Sequence, residues 1–276
     1  SRFHQVGIHE LLGHGSGKLF HQSTADAQRL VADGTPNPLT GDPITGPFYL
    51  PNTTWDSTFG KLASAYEECR AECCGIYLCL EPSVLRVFGH EVNAAEDSPN
   101  ICPDICPDIP YINWLLMARA GLTALEFFTP STSSWRQAHM HARYVILRVM
   151  LEAGGGLVRL EKTTASDGLA DLEVAVERTK IRTVGREAIG RFLLALQVHK
   201  SLGDQPAGAA MFGKYSEVPA EMLEMREIVM ARKEPRKLLV QPVLERDAAG
   251  EMGRREMGGA RCGGEKEGRT EGGALD

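Results

Sequence analysis

The chain has 276 residues, of which 43% are hydrophobic and 24% are charged, and its formal net charge is −6. A chain of that length can bury a sizeable core in one or two domains. An acidic balance without a basic stripe argues against a nucleic-acid partner. The longest apolar run, residues 114–128, contains Arg119 and Glu126 and is too short to span a bilayer. Seven cysteines, an odd number, argue against a disulfide framework and favour a reducing compartment.

The first notable stretch is H-E-L-L-G-H, residues 9–14. In the zinc motif H-E-x-x-H, the histidines stand four residues apart and share one face of a helix. Here His9 and His14 stand five apart, which separates them by about 140° on a regular helix. A π-bulge would realign them, and Gly13 would suit the widened turn. The sequence therefore predicts a bulged metal-binding helix if a third ligand exists; the alternative is two polar residues at a glycine-rich helix end.

The next elements follow from helical periodicity and from proline and glycine. Residues 21–54 are rich in proline, glycine, threonine and asparagine, which predicts a surface loop. A long helix then begins at a cap on Asp56 or Ser57 and ends at Pro82. A short helix is expected at residues 84–88.

A tandem I-C-P-D repeat at about residues 98–109 contains prolines that exclude regular structure, so it is predicted to be an inserted loop. Its Cys102 and Cys106 lack a second ligand pair, and we interpret them as structural or accidental rather than as a metal site. The remaining predicted elements are helices at residues 114–128, 135–153, 186–200, 208–215 and 221–233, a hairpin of residues 157–164 and 171–178, and a strand at 237–242.

From residue 244 onward the chain contains no Ile, Val, Phe, Tyr or Trp, which predicts a disordered tail. The expected fold class is therefore mainly α. A helical lobe of residues 1–242 carries a small β-hairpin, and a disordered Gly/Glu/Arg-rich tail of residues 243–276 follows it.

The long helix carries E-E-C-R-A-E, which holds Glu67, Glu68 and Glu72. Glu68 and Glu72 lie four residues apart on one face, where like charges repel unless a cation lies nearby. A His2Glu zinc site takes a glutamate from a second helix, and its histidines need hydrogen-bond partners on their far ring nitrogens. These three carboxylates could supply both needs. The alternative is a solvated acidic face that Arg70 partly neutralises.

The pairing of H-E-L-L-G-H with E-E-C-R-A-E resembles the signatures of the dipeptidyl peptidase III family of zinc metallopeptidases. Further stretches are similar to the family, among them S-G-K-L-F, T-W-D-S, Y-I-N-W, L-E-F-F-T-P, W-R-Q-A-H-M-H-A-R-Y and R-K-L-L-V-Q-P. The likeness covers about residues 4–242 apart from the inserted loop.

The resemblance implies that His9, His14 and Glu68 bind one Zn²⁺ per chain and that Glu10 acts as general base. Glu67 and Glu72 would then orient the two histidines by hydrogen bonding to their far ring nitrogens.

The resemblance also implies a substrate cleft. His139 would stabilise the oxyanion, and Arg143 and Arg148 would hold peptide carboxylate or carbonyl groups. Asp56 and Lys237 are further cleft candidates. His141, on the same helix as His139, is predicted to lie on the surface.

Family members have two lobes and remove dipeptides from the N-termini of short peptides, mostly in the cytosol. The resemblance thus implies short peptide substrates, a cytoplasmic location, no membrane partner, and a chain that is chiefly the helical upper lobe. The alternative is a truncated, catalytically silent zinc-binding or interaction protein without the substrate-recognition lobe.

One family feature is altered. Vertebrate members carry an E-T-G-E loop able to bind a Kelch-type adaptor, and here the loop is Leu39-Thr40-Gly41-Asp42. Because Leu39 replaces the leading carboxylate, we predict weak or absent adaptor binding.

Overall fold

The computed structural model describes residues 2–90 and 108–233, together with the backbone of two further strands at residues 242–246 and 252–256. The fold is mainly α, as predicted. The chain divides into two compact units, residues 1–232 and 233–276. Among the described residues, no helix is long and apolar enough to cross a membrane.

The first unit contains eleven α-helices and four short strands among the described residues. The helices α1 to α11 are Arg2–Ile8, Ala25–Ala32, Trp55–Phe59, Ala63–Leu78, Pro82–Val87, Asp108–Thr123, Ala138–Glu152, Arg178–Lys180, Arg186–Leu202, Gln205–Ser216 and Ala220–Ala231. The strands β1 to β4 are Phe128–Thr129, Ser134–Trp135, Val158–Thr164 and Ala170–Val176.

Helix α1 continues without a break into a π-helical turn, His9–His14. The N–H of Gly15 donates to the carbonyl of Glu10 at 3.2 Å, five residues back, which is the hydrogen-bond spacing of a π-turn. The predicted bulge is therefore confirmed. Close packing is a further reason for glycine at position 13. A Cβ there would lie 2.8 Å from the Cα and Cβ of Ala71, so glycine lets this turn pack directly on α4.

The prediction of a single long helix up to Pro82 is wrong, because the segment forms α3, a 3₁₀ turn and α4. Thr54, rather than Asp56 or Ser57, caps α3. Its side chain accepts from the N–H of Ser57, and the Ser57 hydroxyl accepts from the N–H of Thr54. Helix α3 ends at Phe59, and Gly60 follows it with a φ of 55°, which suits glycine. Pro82 begins α5 instead of ending α4.

Two loop predictions need correction. Helix α2 lies within the loop predicted for residues 21–54, where Thr24 caps a run of good helix formers. Helix α6 begins at Asp108, inside the predicted insertion, because a proline such as Pro110 is tolerated in the first helical turn. Residues 98–107 of that insertion, with Cys102 and Cys106, lie outside the described residues.

The core forms where α4, α6, α7, α9 and α10 meet. Its largest buried side chains include Trp114, Tyr66, Tyr144 and Phe212. The Trp114 indole donates to the carbonyl of Ile76 at 3.1 Å, which links α6 to α4. These contacts fix α4 and α7, the two helices that carry Glu68 and His139.

The predicted hairpin is confirmed as β3 and β4, which pair antiparallel from Val158 opposite Val176 to Thr164 opposite Ala170. In the second unit, β5 (Pro242–Arg246) and β6 (Met252–Glu256) also pair antiparallel, where the sequence predicted no regular structure from residue 244. The reason is that a strand ladder joins backbone groups and does not itself require apolar side chains. The rest of the predicted tail, Lys237 and most of the strand predicted at 237–242 lie outside the described residues.

Candidate metal centre

Two histidine rings converge on one carboxylate oxygen. Oε2 of Glu68, on α4, lies 3.3 Å from Nε2 of His9 and 3.7 Å from Nε2 of His14. The π-turn brings both imidazoles to this point, with their ring centroids 4.7 Å apart. The ligand atoms of these three residues all lie within 4.8 Å of one another.

The far nitrogens of the same rings face two other carboxylates. Nδ1 of His14 lies 3.2 Å from Oε1 of Glu67, and Nδ1 of His9 lies 3.8 Å from Oε2 of Glu72. All three glutamates of E-E-C-R-A-E therefore surround the histidine pair, and the alternative of a solvated acidic face does not fit this geometry. A carboxylate behind a histidine is the usual partner of a metal-binding imidazole.

The local electrostatics favour ionised glutamates. Burial alone would raise the pKa of Glu72, but hydrogen bonding and charge from His9 and Arg143 bring that pKa below its usual value. Burial likewise opposes ionisation of Glu67, and Arg70 and Lys200 lower its pKa overall. Burial depresses the pKa of His9, yet Glu72 and its neighbouring carboxylates raise it above the ordinary value.

A polar atom at the centre of this cluster has no hydrogen bond. Oε2 of Glu68 is buried and has no hydrogen-bond partner among the described residues. Nδ1 of His139 lies only 2.9 Å away, but the pair does not have the angles of a hydrogen bond. A buried carboxylate oxygen left unpaired among ring nitrogens is costly unless a cation joins them.

The donor set fits zinc. Bonds of about 2.0–2.1 Å at tetrahedral angles place neighbouring ligand atoms roughly 3.3 Å apart. The distances from Oε2 of Glu68 to the two Nε2 atoms, 3.3 and 3.7 Å, are close to that value. Two imidazoles and one carboxylate leave a fourth position open, which is the arrangement of catalytic rather than structural zinc sites.

A cavity of about 370 Å³ opens beside this cluster. Its lining includes His9, Glu10, Glu72, His139 and Arg143. Glu10 is exposed, and His139, which comes from α7, has its ring centroid 6.3 Å from that of His9. The predicted general base and the predicted oxyanion group thus share one cavity with a metal ligand.

Other predicted residues lie elsewhere. Arg148 donates to the carbonyl of Glu217 at 2.6 Å and lines a different cavity. Asp56 is exposed in the first turn of α3 and is not among the residues that line the cavity beside His9. The structure does not bring either residue to this site.

The surface position predicted for His141 is wrong. Its ring stacks on Trp135 at a centroid distance of 5.0 Å and meets the edge of Phe212 at the same distance. Its Nε2 lies 2.7 Å from the hydroxyl of Ser216. The i,i+2 spacing from His139 turns this ring toward the core side of α7.

Sequence reasoning missed two cations behind Glu67. Arg70, which only the alternative interpretation placed on a solvated face, is fully buried, and Lys200 is 8% exposed. Arg70 donates to both oxygens of Glu67, and Nζ of Lys200 lies 2.6 Å from Oε2 of Glu67. The only sequence signal was an arginine three residues after a glutamate on a helix; Lys200 is 133 residues away from Glu67 and gave none.

Two histidines and a glutamate on packed helices, beside a cavity with a further glutamate, form a set of ligands that metal-dependent hydrolases use. The chain belongs to peptidase family M49, whose family model matches residues 1–252.

Curated proteins similar to the chain are consistent with this family. The chain is 53% identical over 242 residues to dipeptidyl peptidase 3 of Rattus norvegicus and 52% identical over 242 residues to that of Homo sapiens, in each case over 86% of this chain and 31% of the relative. It is 43% identical over 244 residues to dipeptidyl peptidase 3 of Dictyostelium discoideum, over 86% of this chain and 33% of the relative. The chain thus spans about a third of the length of the curated relatives it matches.

Among solved structures, the chain is similar to DPP III from Caldithrix abyssi, with a TM-score of 0.46 and 17% identity over 83% of this chain and 32% of that one. A similarity at that level adds nothing to the assignment, which depends on the family match.

Proposed function

We propose that this chain carries the zinc centre of a dipeptidyl peptidase that releases dipeptides from the N-terminus of short peptides in the cytoplasm. The observation that carries the proposal is the convergence of His9 and His14 on Oε2 of Glu68, a buried atom that has no hydrogen bond among the described residues. Membership of family M49 and the names of the relatives support the peptide substrate.

In this proposal His9, His14 and Glu68 hold Zn²⁺, and Glu67 and Glu72 fix the two imidazole rings from behind. When bound, zinc supplies Lewis acidity that makes a water molecule nucleophilic near neutral pH.

The residues around the cavity then have the remaining catalytic and binding roles. Glu10 accepts the proton of the attacking water and passes it to the leaving amine, as its place on the cavity wall next to His9 allows. His139 donates a hydrogen bond to the oxyanion from α7. Arg143 holds a carbonyl or carboxylate of the peptide with the guanidinium edge that Glu72 does not occupy.

The test is to assay the purified chain on a chromogenic dipeptidyl-arylamide and to measure zinc in the same sample. About one zinc per chain together with dipeptide release would support the proposal. Zinc without release would favour the alternative, a zinc-binding protein that lacks peptidase activity, and it would refute the peptidase proposal for this chain. Absence of zinc would refute the metal centre itself.

A further inference from the structure

The carboxylate of Glu67 touches one metal-binding histidine and two buried cations. Its Oε1 lies 3.2 Å from Nδ1 of His14 and accepts from Nη2 of Arg70 at 2.6 Å. Its Oε2 accepts from Nε of Arg70 at 3.1 Å and from Nζ of Lys200 at 2.6 Å. Both oxygens are therefore held, and the carboxylate has no freedom to rotate away from His14.

Arg70 ties this carboxylate to the π-turn. Besides its two bonds to Glu67, it donates to the carbonyl of Gly13 at 2.6 Å, the hydroxyl of Ser16 at 3.1 Å and the side chain of Gln197 at 3.1 Å. A guanidinium has five N–H donors, and this arrangement uses all five. The contact with Gly13 fixes the backbone directly before His14.

Lys200 reaches the same carboxylate from α9, which carries no metal ligand. Its ammonium lies over the ring of Trp55, 5.2 Å from the ring centroid. A buried ammonium is stable only when it is paired, and Glu67 is the carboxylate that pairs it. Helix α9 is thus coupled to the metal centre through this ion pair as well as through the hydrogen bond from Arg70 to Gln197.

We propose that Lys200 and Arg70 are positioning residues that immobilise Glu67, and through it the His14 imidazole, and so set the metal affinity of the site. The inference rests on the proposed zinc centre and extends it to a third helix. A carboxylate fixed at both oxygens orients the ring that it contacts, because Nδ1 of that ring has one direction in which to donate. The Nε2 lone pair of His14 is then aimed at the ion before the ion arrives.

The test compares the unchanged chain with Lys200→Met, and uses Lys214→Met as a matched control. Lys214 forms an ion pair with Glu152 on the surface, so that variant makes the same chemical change away from the metal centre. Three quantities are measured: the zinc dissociation constant in a chelator competition, the rise in Tm on zinc addition, and the visible absorption spectrum of the Co²⁺-loaded chain. We expect Lys200→Met to weaken zinc binding by about three- to tenfold and to shift the Co²⁺ absorption bands. The effect should be somewhat smaller than the loss of a carboxylate that itself contacts a metal-binding histidine. Lys214→Met should change neither the zinc affinity nor the absorption bands.

Because a buried glutamate without its cation can unfold the chain, the series includes Glu67→Gln and the double variant Glu67→Gln/Lys200→Met, in which the charge pair is removed together. If Lys200 acts through Glu67, the double variant binds zinc no more weakly than Glu67→Gln alone, within twofold. If the double variant instead weakens zinc binding by the product of the two single effects, the inference is contradicted. A Lys200→Met chain with a lower Tm but an unchanged zinc affinity and Co²⁺ spectrum would also contradict it, since that is the behaviour of a purely structural ion pair. If the unchanged chain binds no zinc, the metal centre and this inference are both refuted.

Discussion

Arg143 and Glu72 join α7 to the metal centre. Nε of Arg143 donates to Oε1 of Glu72 at 2.8 Å, and Nη2 lies 2.7 Å from the same oxygen. The other oxygen of Glu72 faces Nδ1 of His9. The arginine predicted to bind substrate is therefore one carboxylate away from a metal ligand, so a change at Arg143 acts on metal and substrate together.

Glu72→Gln tests this link. The neutral amide keeps the volume but withdraws the negative charge that faces His9 and holds Arg143. We expect zinc affinity to fall roughly 10- to 100-fold, as is typical when the partner behind a metal-binding histidine is lost. Glu152→Gln is the control, because that acid forms its ion pair with Lys214 on the surface. A zinc dissociation constant for Glu72→Gln within twofold of the control would contradict the role assigned to Glu72.

Gly13→Ala tests the contact between the π-turn and α4. The new methyl group would lie 2.8 Å from the Cα and Cβ of Ala71, so the turn must shift. Overpacking of this kind costs about 1–3 kcal/mol, and here it also displaces His14. The matched control is Gly213→Ala, since a Cβ at Gly213 meets nothing within 4 Å. Urea unfolding should show a lower stability for Gly13→Ala, and zinc titration a weaker zinc affinity; Gly213→Ala should show neither loss. If Gly13→Ala and Gly213→Ala are equally stable, the close packing of the turn on α4 is contradicted.

His141 predicts an acid-sensitive contribution to stability. Burial lowers the pKa of His141 from its ordinary value of 6.5 to about 4, so the unfolded chain binds the proton first as pH falls. The stabilisation is complete above pH 6.5 and is lost progressively between pH 6.5 and 4, by at most about 1.4 kcal/mol per pH unit.

The measurement is the free energy of unfolding between pH 8 and 4 for the unchanged chain and for His141→Gln. The variant should be less stable at pH 8, because it loses the stacking on Trp135, but the gap should narrow as pH falls. A gap that stays constant with pH would show that His141 does not carry this dependence.

Glu10→Gln separates metal binding from proton transfer. Glu10 lines the cavity beside His9 but is not one of the converging ligands, so the amide should leave zinc content unchanged. It cannot accept the proton of water, and dipeptide release should fall to the background rate. Turnover retained in zinc-loaded Glu10→Gln would remove Glu10 from the mechanism.

The local parts of this site could be predicted from sequence. The extra residue in H-E-L-L-G-H indicated the π-turn, because only a widened turn aligns His9 with His14. The i,i+4 glutamates likewise indicated a shared face on α4. Contacts between distant parts of the chain could not be predicted. The burial of Arg70, the contact of Lys200 with the same Glu67 carboxylate, and the packing of His141 against Phe212 all depend on how α4, α7, α9 and α10 meet. Arg148 illustrates the same limit, since its spacing from His139 did not reveal that the carbonyl of Glu217 would hold it.

X-ray absorption at the zinc edge tests the metal centre most directly. The described cysteines, Cys69, Cys73, Cys74 and Cys79, carry free thiols, so a misplaced ion has sulfur available nearby in sequence. We predict a first shell of nitrogen and oxygen at about 2.0–2.2 Å, with two imidazole scattering patterns and no sulfur. The second imidazole pattern should disappear in His14→Ala. Sulfur at about 2.3 Å, or a spectrum that His14→Ala leaves unchanged, would contradict the assignment of His9, His14 and Glu68 as the zinc ligands.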